Sequence, residues 1–430
     1  MMGISDKIHS GLNYIKGAGK TKDGKVIVKN FGYLTLLQIA NYIFPLITVP
    51  YVARVIGVEG YGKIAFAGAI VLWFQAVADW GFNYTSLRDV SQNRGDSKKI
   101  SEIFSNVLWA RILLMFISYV LLALFVLFIP TFRDAADVIM VTSLILVGHV
   151  AYPVWFFQAM EQMKYNTILN VLAKLLFTIA VFIFIKEPSD YIFQPLLTSL
   201  GYLVSGLVAM YIIVFKFKVK IRRPSVKGVV SAIKNGANIF VNQFVPNLYN
   251  SLSTVILGFV GGDESTGLLD SGRKFSHMLY PVFSSFSLSF FPYLNRRTDN
   301  HTKYAMIILP AAAMVSIVLF FGAPLLVRLF FGEEFIKSVP VVRLSALAFF
   351  SLVLSNVYAT NYLLILRKDR LVRNITLVLS IFGAAIAYPL ILWFDYMGAM
   401  LAYTVTTVLM GVVPAYYAIT CKKQNVNNAS

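Results

Sequence analysis

The chain has 430 residues, a mean hydropathy of +0.70 and only 13% charged residues. Soluble globular domains carry about 25% charged residues, so this composition excludes a water-soluble globule and places most of the chain in lipid. The formal net charge of +18 would also suit a nucleic-acid-binding protein. The positions of the cations distinguish that possibility from a membrane protein with basic loops.

Twelve apolar stretches are long enough to cross a bilayer, whose hydrocarbon core of roughly 30 Å needs about 20 helical residues. In chain order these stretches are 31–53, 62–85, 103–130, 137–158, 166–186, 191–215, 229–259, 266–292, 304–331, 338–365, 373–394 and 397–420. Their Gly, Pro, Ser and Asn residues are tolerated in membrane helices when neighbouring helices satisfy the freed backbone groups. We therefore predict an all-α polytopic membrane protein with twelve packed transmembrane helices.

The lysines and arginines alternate between the loops. With the N-terminus inside, the inner loops and termini hold 26 of them, the outer loops hold six and the spans hold six. This is the positive-inside pattern, in which basic loops stay on the cytoplasmic side. The basicity therefore sets the topology, with both termini cytoplasmic, and it does not predict a nucleic acid partner. The first 30 residues also lack the apolar core of a signal peptide.

An internal repeat divides the chain. Adding 205 to each residue number aligns the first span with the seventh, so that Gly57 falls on Gly262 and Gly62 on Gly267 without a gap. Six spans separate the copies, which makes the repeat parallel, and transporters built from such halves hold their substrate in a central cavity between them. We predict a cytoplasmic arm at residues 1–30 and an N-lobe with helices 1–6 at 31–215. A basic linker at 216–228 leads to a C-lobe with helices 7–12 at 229–420 and a cytoplasmic tail at 421–430.

Amide side chains recur in the first helix of each half. They are Gln38 and Asn41 in the first span and Asn242, Gln243 and Asn247 in the seventh. Amides both donate and accept hydrogen bonds, as sugar hydroxyls require. The alternative is that they join helices through interhelical hydrogen bonds. We predict that they contribute to a polar substrate-binding face.

The eighth span carries a charged stripe. Asp270, Arg273, Lys274 and His277 fall within an arc of about 120° on a helical wheel. Each such charge at a helix centre costs roughly 2.5 to 3.5 kcal/mol, so the stripe should not face lipid. One interpretation is that Asp270 merely neutralises the two cations. The other is that a net positive wall binds an anionic substrate group.

Lys174 lies near the middle of the fifth span, with Asn170 one turn before it. A lysine at mid-bilayer depth cannot easily extend its ammonium group to the interface, so it needs a partner or a polar cavity. A fixed salt bridge and an anion-binding site are the two possibilities, and we favour the second.

Asp79 lies in the second span, six residues before its cytoplasmic end, and Arg111 lies at a similar depth in the third. An ion pair between them would brace the inner mouth of the transport path. Alternatively, Asp79 is a proton or cation site coupled to transport, because intramembrane carboxylates frequently serve as ion sites.

Enzyme chemistry finds no support in the sequence. The histidines are scattered, no Cys/His spacing suits a metal, and the outer loops are too short for a catalytic domain. We therefore predict no catalytic residue, no metal and no cofactor, and we disfavour a membrane glycosyltransferase or polymerase.

Three stretches in order resemble bacterial O-antigen flippases of the Wzx type, in the polysaccharide-transporter branch of the multidrug/oligosaccharidyl-lipid/polysaccharide exporter superfamily. They read "LLQIANYIFPLITVPYVARVIGVEGYGKIAFA", "DWGFNYTSLRDVSQNR" and "PVWFFQAMEQMKY". The resemblance implies two six-helix lobes in a V, alternating access and an undecaprenyl-pyrophosphate-linked O-antigen or related repeat unit. Such a unit would move from the cytoplasmic to the periplasmic leaflet. Membrane lipids, a polysaccharide polymerase and a chain-length regulator are the further candidate partners.

The chain departs from this family at the start of the eighth span. Relatives tend to carry a small-small-Glu-Lys pattern there, whereas this chain reads "SGRK" and has Arg273 in place of the acid. The ion-coupling role attached to that glutamate cannot be carried over. The alternatives are a cation-coupled multidrug exporter of the same architecture and a flippase for another lipid-linked glycan. Cationic drugs would favour acidic walls, and a peptidoglycan-precursor flippase would usually have fourteen spans.

Overall fold

The computed structural model describes residues 22–427, and the described residues are helical throughout apart from short connections. Within this range the side chains of residues 22–28, 31, 242, 243, 245–250, 292 and 422–427 lie outside the described part. The predicted N-terminal arm therefore lies outside the described residues up to position 21, and the predicted tail does so from position 428.

The described part of the first half of the chain contains nine α-helices. They are α1 (Lys22–Asp79), α2 (Phe82–Gln92), α3 (Ser97–Phe128), α4 (Pro130–Asp134), α5 (Ala136–Ser143), α6 (Ile145–Ala151), α7 (Val154–Ala159), α8 (Met163–Phe184) and α9 (Phe193–Tyr211). The Asp96 carboxylate accepts hydrogen bonds from the backbone N–H groups of Lys98 and Lys99 and so caps α3. These bonds, with that from Lys99 strongest, lower the pKa of the Asp96 carboxyl.

The described part of the second half contains five α-helices. They are α10 (Val226–Val260), α11 (Gly262–Arg296), α12 (His301–Phe330), α13 (Val339–Ser355) and α14 (Asp369–Asn427). A π-helix, Asn356–Leu363, continues α13. Such i→i+5 turns are rare and frequently occur near functional sites.

Eight stretches of the described chain are long and apolar enough to cross a membrane. Large apolar side chains also lie on the outside, where Phe128 is 77% exposed and Phe321 is 74% exposed. Such a surface is favourable in lipid and unfavourable in water. The prediction of an all-helical polytopic membrane protein is confirmed.

Two of these eight stretches are much longer than one crossing requires. Gly32–Gln92 has 61 residues and Asp369–Cys421 has 53, whereas one crossing needs about 20. Each contains a break in the helix, at Gly57 with a φ of 69° and at Asp395 with a φ of 51°. The predicted spans 229–259 and 266–292 fall in α10 and α11, which are not among the eight. In α11, five charged residues within the first thirteen positions lower the hydropathy.

The connections between helices lie on two faces of the bundle. On one face, which we call the basic face, Arg94 pairs with Glu161 at 2.7 Å. On the opposite face, Lys337 pairs with Glu264 at 2.9 Å. The basic face carries the connecting segments that include residues 88–99, 216–227, 296–303 and 367–373. The two faces correspond to the alternation of basic and weakly charged loops in the sequence.

The repeat is visible in the backbone where each half turns on the opposite face. Gly57 and Gly262, which the 205-residue offset aligns, have positive φ angles of 69° and 75°. Residues with a Cβ rarely adopt this conformation, so glycine suits both turns. The same local conformation at aligned positions supports the duplication inferred from the sequence.

The helices that follow these two turns touch each other through a second aligned pair of glycines. A Cβ placed on Gly62 would lie 1.8 Å from the backbone oxygen of Asp263, and one placed on Gly267 would lie 2.3 Å from that of Val58. Val58 and Asp263 are themselves 205 residues apart, so the two contacts are reciprocal. Halves related by an axis along the membrane normal are expected to meet in this way. The contact holds α1 against α11 with almost no space between their backbones.

Replacing Gly62 by Ala should destabilise this contact. The added methyl group meets a backbone carbonyl, which cannot move aside as a side chain can, and overpacking of this kind costs roughly 1–3 kcal/mol. The melting temperature of the purified protein in detergent measures the effect. Gly68→Ala is the matched control, because Gly68 lies on the same helix with nothing within 4 Å of an added Cβ. Equal melting temperatures for the two variants would contradict the close contact.

Candidate functional site

A cavity of about 770 Å³ lies between the two halves of the chain. Its walls come from α1, α5, α6, α8 and α9 of the first half and from α10 and α11 of the second. The predicted place of the substrate site, between two like-oriented halves, therefore contains a large open space. We call it the central cavity.

The charged stripe of α11 forms one wall of the central cavity. Asp270, Arg273, Lys274 and His277 all line it, as their shared helix face predicts. The Lys274 Nζ lies 3.3 Å from the Asp270 Oδ2, an (i, i+4) ion pair. Asp270 is one carboxylate beside two cations of the stripe, Arg273 and Lys274, so this wall carries more positive than negative charge.

Arg273 is held by groups from two other helices. Its guanidinium carbon lies 4.2 Å from the centre of the Tyr403 ring, a cation–π contact, and its Nη1 donates to the Ser253 Oγ over 3.4 Å. The residue as a whole is 2% exposed. The stacked geometry suits arginine, whose planar group presents its N–H donors in a fixed arrangement.

Asp79 lies on another wall of the same cavity and has two partners. Its Oδ1 accepts a hydrogen bond from the Arg111 Nη2 over 2.8 Å, and its Oδ2 lies 2.9 Å from the His149 Nε2. Arg111 is buried and also donates to the backbone oxygen of His149 over 3.0 Å. The ion pair expected between Asp79 and Arg111 is present, whereas its role in coupling or gating stays a prediction.

His149 is the residue of this cluster that sequence reasoning missed. It is 70 residues from Asp79, so no local pattern joins them. The one available signal was that the negative charge of Asp79 inside a membrane bundle requires nearby hydrogen-bond donors or cations, and a histidine can provide a donor.

Lys174 lies in a smaller space of about 210 Å³ that adjoins the central cavity, and we call this space the side chamber. Pro45, Thr48, Phe177 and Thr198 line both spaces. The chamber is also lined by Asn170, Tyr152, Tyr202 and Ser205. Most of its wall is apolar or aromatic, with a few amide, hydroxyl and ammonium groups, which is the usual composition of a ligand-binding pocket.

The partner of Lys174 is neutral. Its Nζ donates to the Asn41 Oδ1 over 2.7 Å, and none of the carboxylates in the described residues lies within 4 Å of it. The fixed salt bridge, one of the two possibilities drawn from the sequence, is therefore contradicted. An amide satisfies one N–H of the ammonium group and leaves its charge uncompensated.

The predicted amides differ in their outcome. Asn41 and Asn170 lie at the side chamber, as described. Gln38 is exposed and lines neither the chamber nor the central cavity, because it precedes the first chamber residue of α1, Phe44, by nearly two turns. The predictions for the side chains of Asn242, Gln243 and Asn247 lie outside the described residues.

The walls of the two spaces are net positive. Three cations, Lys174, Arg273 and Lys274, line them against two carboxylates, Asp79 and Asp270. Arg111 adds a further positive charge behind Asp79. A low-dielectric surround strengthens each of these interactions relative to water, so the arrangement favours an anionic ligand.

Solved structures share this architecture. The chain is similar over 91% of its length to "Lipid II flippase MurJ, inward closed conformation", with a TM-score of 0.72, 13% identity and 87% of that chain covered. It is similar over 93% of its length to "Inward-facing conformation of a multidrug resistance MATE family transporter of the MOP superfamily", with a TM-score of 0.62, 14% identity and 100% of that chain covered. At these identities the likeness shows the fold.

Curated relatives carry a more specific description. Two proteins named "Putative O-antigen transporter" match, one from Escherichia coli (strain K12) and one from Shigella dysenteriae. The first is 26% identical, over 89% of this chain and 94% of the relative. The second is 23% identical, over 89% of this chain and 97% of the relative. The family described as "Polysaccharide biosynthesis protein" matches residues 27–298, which is more than half of the chain. The resemblance drawn from the three sequence stretches is thus confirmed, and the chain belongs to the polysaccharide biosynthesis protein family.

Proposed function

We propose that this protein is a flippase that moves undecaprenyl-pyrophosphate-linked O-antigen or related repeat units from the cytoplasmic to the periplasmic leaflet of the bacterial inner membrane. The O-antigen transporter relatives and the flippase and exporter folds support a transporter of lipid-linked glycans. The observation that carries the finer proposal is the pair of adjacent cations, Arg273 and Lys274, on the α11 wall of the central cavity between the two halves, with Lys174 as a third cation in the adjoining side chamber.

The proposed topology has twelve crossings. The two long candidate spans each make two crossings, divided at Gly57 and Asp395, and α10 and α11 add two to the remaining six. The basic face lies in the cytoplasm, following the positive-inside rule, which puts both termini there. Residues 31–215 and 229–420 then form the two six-helix lobes, joined by the basic linker 216–228.

In this proposal the pyrophosphate binds at the wall formed by α11. Asp270 holds the ammonium group of Lys274, and Tyr403 orients the guanidinium of Arg273, so both cations are positioned before the substrate arrives. Arginine suits phosphate because its planar donors bind two oxygens at once. Preorganised groups of this kind lose little entropy on binding.

The saccharide occupies the central cavity and the adjoining side chamber. Lys174, Asn170 and the hydroxyl group of Tyr202 are donors and acceptors for sugar hydroxyls there. The Lys174 ammonium group, held only by Asn41, keeps donors available for a substrate oxygen.

Alternating access requires the reciprocal glycine contact on the opposite face to separate. In the present conformation Gly62 and Gly267 hold that face closed. Opening it while the basic face closes would carry the anionic group past the cationic wall, and the prenyl chain would stay in lipid throughout.

An exporter of cationic drugs is disfavoured by the same walls. A cation in the central cavity would meet Arg273 and Lys274 with only Asp79 and Asp270 to offset them, and both carboxylates already have cationic partners. Placing a cationic ligand beside these two cations is unfavourable by several kcal/mol, so the cavity discriminates against cationic drugs.

Replacing Lys174, Arg273 and Lys274 together by Ala should abolish surface polysaccharide at normal protein levels in the membrane. Hydrogen bonds to charged groups contribute about 1.5–3 kcal/mol each, so losing three should weaken substrate binding by well over a hundredfold. Immunoblotting of surface polysaccharide in a strain lacking the native gene measures the effect, and Arg273→Lys should be milder than Arg273→Ala.

Arg343→Ala is the matched control for the triple variant. Arg343 is an exposed cation of α13 that lines neither the central cavity nor the side chamber. Its removal should leave surface polysaccharide unchanged. Full surface polysaccharide in the triple variant would defeat the proposed anion site.

The Asp79→Asn variant distinguishes a role of Asp79 in proton coupling from a purely structural role in its ion pair with Arg111. If Asp79 is a proton site, the variant should lose the dependence of transport on the pH gradient. Breaking a buried ion pair costs about 3–5 kcal/mol, so its melting temperature should fall as well. Transport into proteoliposomes with and without an imposed gradient measures the coupling. A variant that is less stable yet responds normally to the gradient would leave Asp79 only its bracing contact with Arg111.

A further inference from the structure

A third space lies away from the central cavity, at the end of the second half that carries the basic face. It is a groove of about 440 Å³ between the start of α12, the π-helix and the end of α14. It shares none of its lining residues with the central cavity or the side chamber. Most of its wall is apolar, with Ala305, Met306, Leu309, Pro310, Ala418 and Ile419. The proposed transport path makes no use of it.

The groove opens toward lipid. Met306 is 63% exposed and Ile419 is 48% exposed on its two sides, at positions where the surface is otherwise apolar. Its α12 wall covers the ten residues from His301 to Pro310, and the nine steps between them span roughly 14 Å at 1.5 Å per residue. A narrow apolar groove of this length, entered from the bilayer, matches a hydrocarbon chain.

The end of the groove at the basic face is aromatic and polar. The ring of His301 lies 4.6 Å from that of Tyr362 and 5.4 Å from that of Tyr358, measured between centroids. All three residues line the groove. Amphipathic rings of this type occur at the headgroup level of the bilayer, so this end of the groove lies where a lipid headgroup lies.

The two chain segments that flank this end of the groove are basic. The first leads into α12, and Leu371 and Val372 of the second pack against the cluster that contains Tyr362 and Ala418 of the groove wall. The segments 296–303 and 367–373 carry seven cations and two acids, Asp299 and Asp369. All seven cations are exposed, and none of them forms an ion pair within 4 Å in the part of the chain that the structure describes. The cations are Arg296, Arg297, Lys303, Arg367, Lys368, Arg370 and Arg373. The N-terminus of the 30-residue helix α12 adds its positive dipole at the same place.

We propose that this groove binds an anionic diacyl phospholipid of the leaflet next to the basic face. One acyl chain lies between α12 and α14, and the phosphate lies among the cations of the two segments. Topology alone explains basic loops, but it does not explain an apolar groove that opens directly beneath them. Basic pockets between membrane helices are recognised sites for anionic headgroups. The bound lipid joins α12 to α14 and so stabilises this part of the bundle.

Native mass spectrometry of the full-length protein, titrated with phosphatidylglycerol or phosphatidylcholine, tests the site. Phosphatidylglycerol should bind more tightly than phosphatidylcholine. Each basic residue near a headgroup changes affinity roughly fivefold, so the triple variant Arg297→Gln, Lys303→Gln and Arg370→Gln should bind phosphatidylglycerol about a hundredfold more weakly. Its melting temperature without added lipid should stay close to that of the unmodified protein, because these side chains make no ion pair.

The matched control removes the same charge elsewhere on the basic face, through Lys98→Gln, Lys218→Gln and Lys227→Gln. These exposed lysines lie on segments that do not border the groove. The control should bind phosphatidylglycerol within about twofold of the unmodified protein. An equal loss in both triple variants would overturn the proposal, because it would show attraction by the whole face.

Leu309→Trp tests the apolar part of the groove while leaving every cation in place. The larger ring should narrow the groove and lower the affinity for phosphatidylglycerol at least tenfold, and the melting temperature without lipid reports its folding. Equal affinity for phosphatidylcholine, or unchanged binding in a folded Leu309→Trp protein, would overturn the proposal. Displacement of phosphatidylglycerol by undecaprenyl phosphate at a much lower concentration would also overturn it, since the groove would then belong to the substrate's prenyl chain.

Discussion

The cost of placing charge inside a bilayer governs this structure. Each buried Lys, Arg or Asp must find a partner or a polar space, since lipid offers neither. The helices meet this requirement by turning their charged faces toward one another around the central cavity. The cavity is thus a consequence of the same residues that give it its positive walls.

The charged side chains inside the bundle are neutralised by their partners to different degrees, and this difference suits them to different roles. Asp79 has both oxygens occupied, by Arg111 and His149, so it fixes three helical segments relative to one another. Among the described residues, Lys174 donates a hydrogen bond to the neutral Asn41, which leaves the charge of its ammonium group uncompensated. A fully paired cluster suits a rigid or switching element, whereas an uncompensated cation beside an open space suits a ligand.

The duplicated helix pair gives the bundle its geometry. Reciprocal contact at Gly62 and Gly267 brings the two halves together on the opposite face, and the space between them widens away from that contact. The contact consists mainly of backbone atoms, with the Val58 side chain beside Gly267, so few side chains lie between the two helices there. The groove beside the start of α12 lies outside this contact, between helices of the second half alone.

The sequence by itself determined the membrane class, the loop alternation, the repeat and the charged face of Asp270–His277, because these depend on composition and on a helical period that is local in the chain. Tertiary structure alone decided which groups meet. His149 reaches Asp79 across 70 residues, and Asn41 reaches Lys174 across 133. No period links such pairs, since they depend on how helices pack and on where α5, α6 and α7 interrupt one predicted span. The same packing left Gln38 outside both spaces although its residue type suited them.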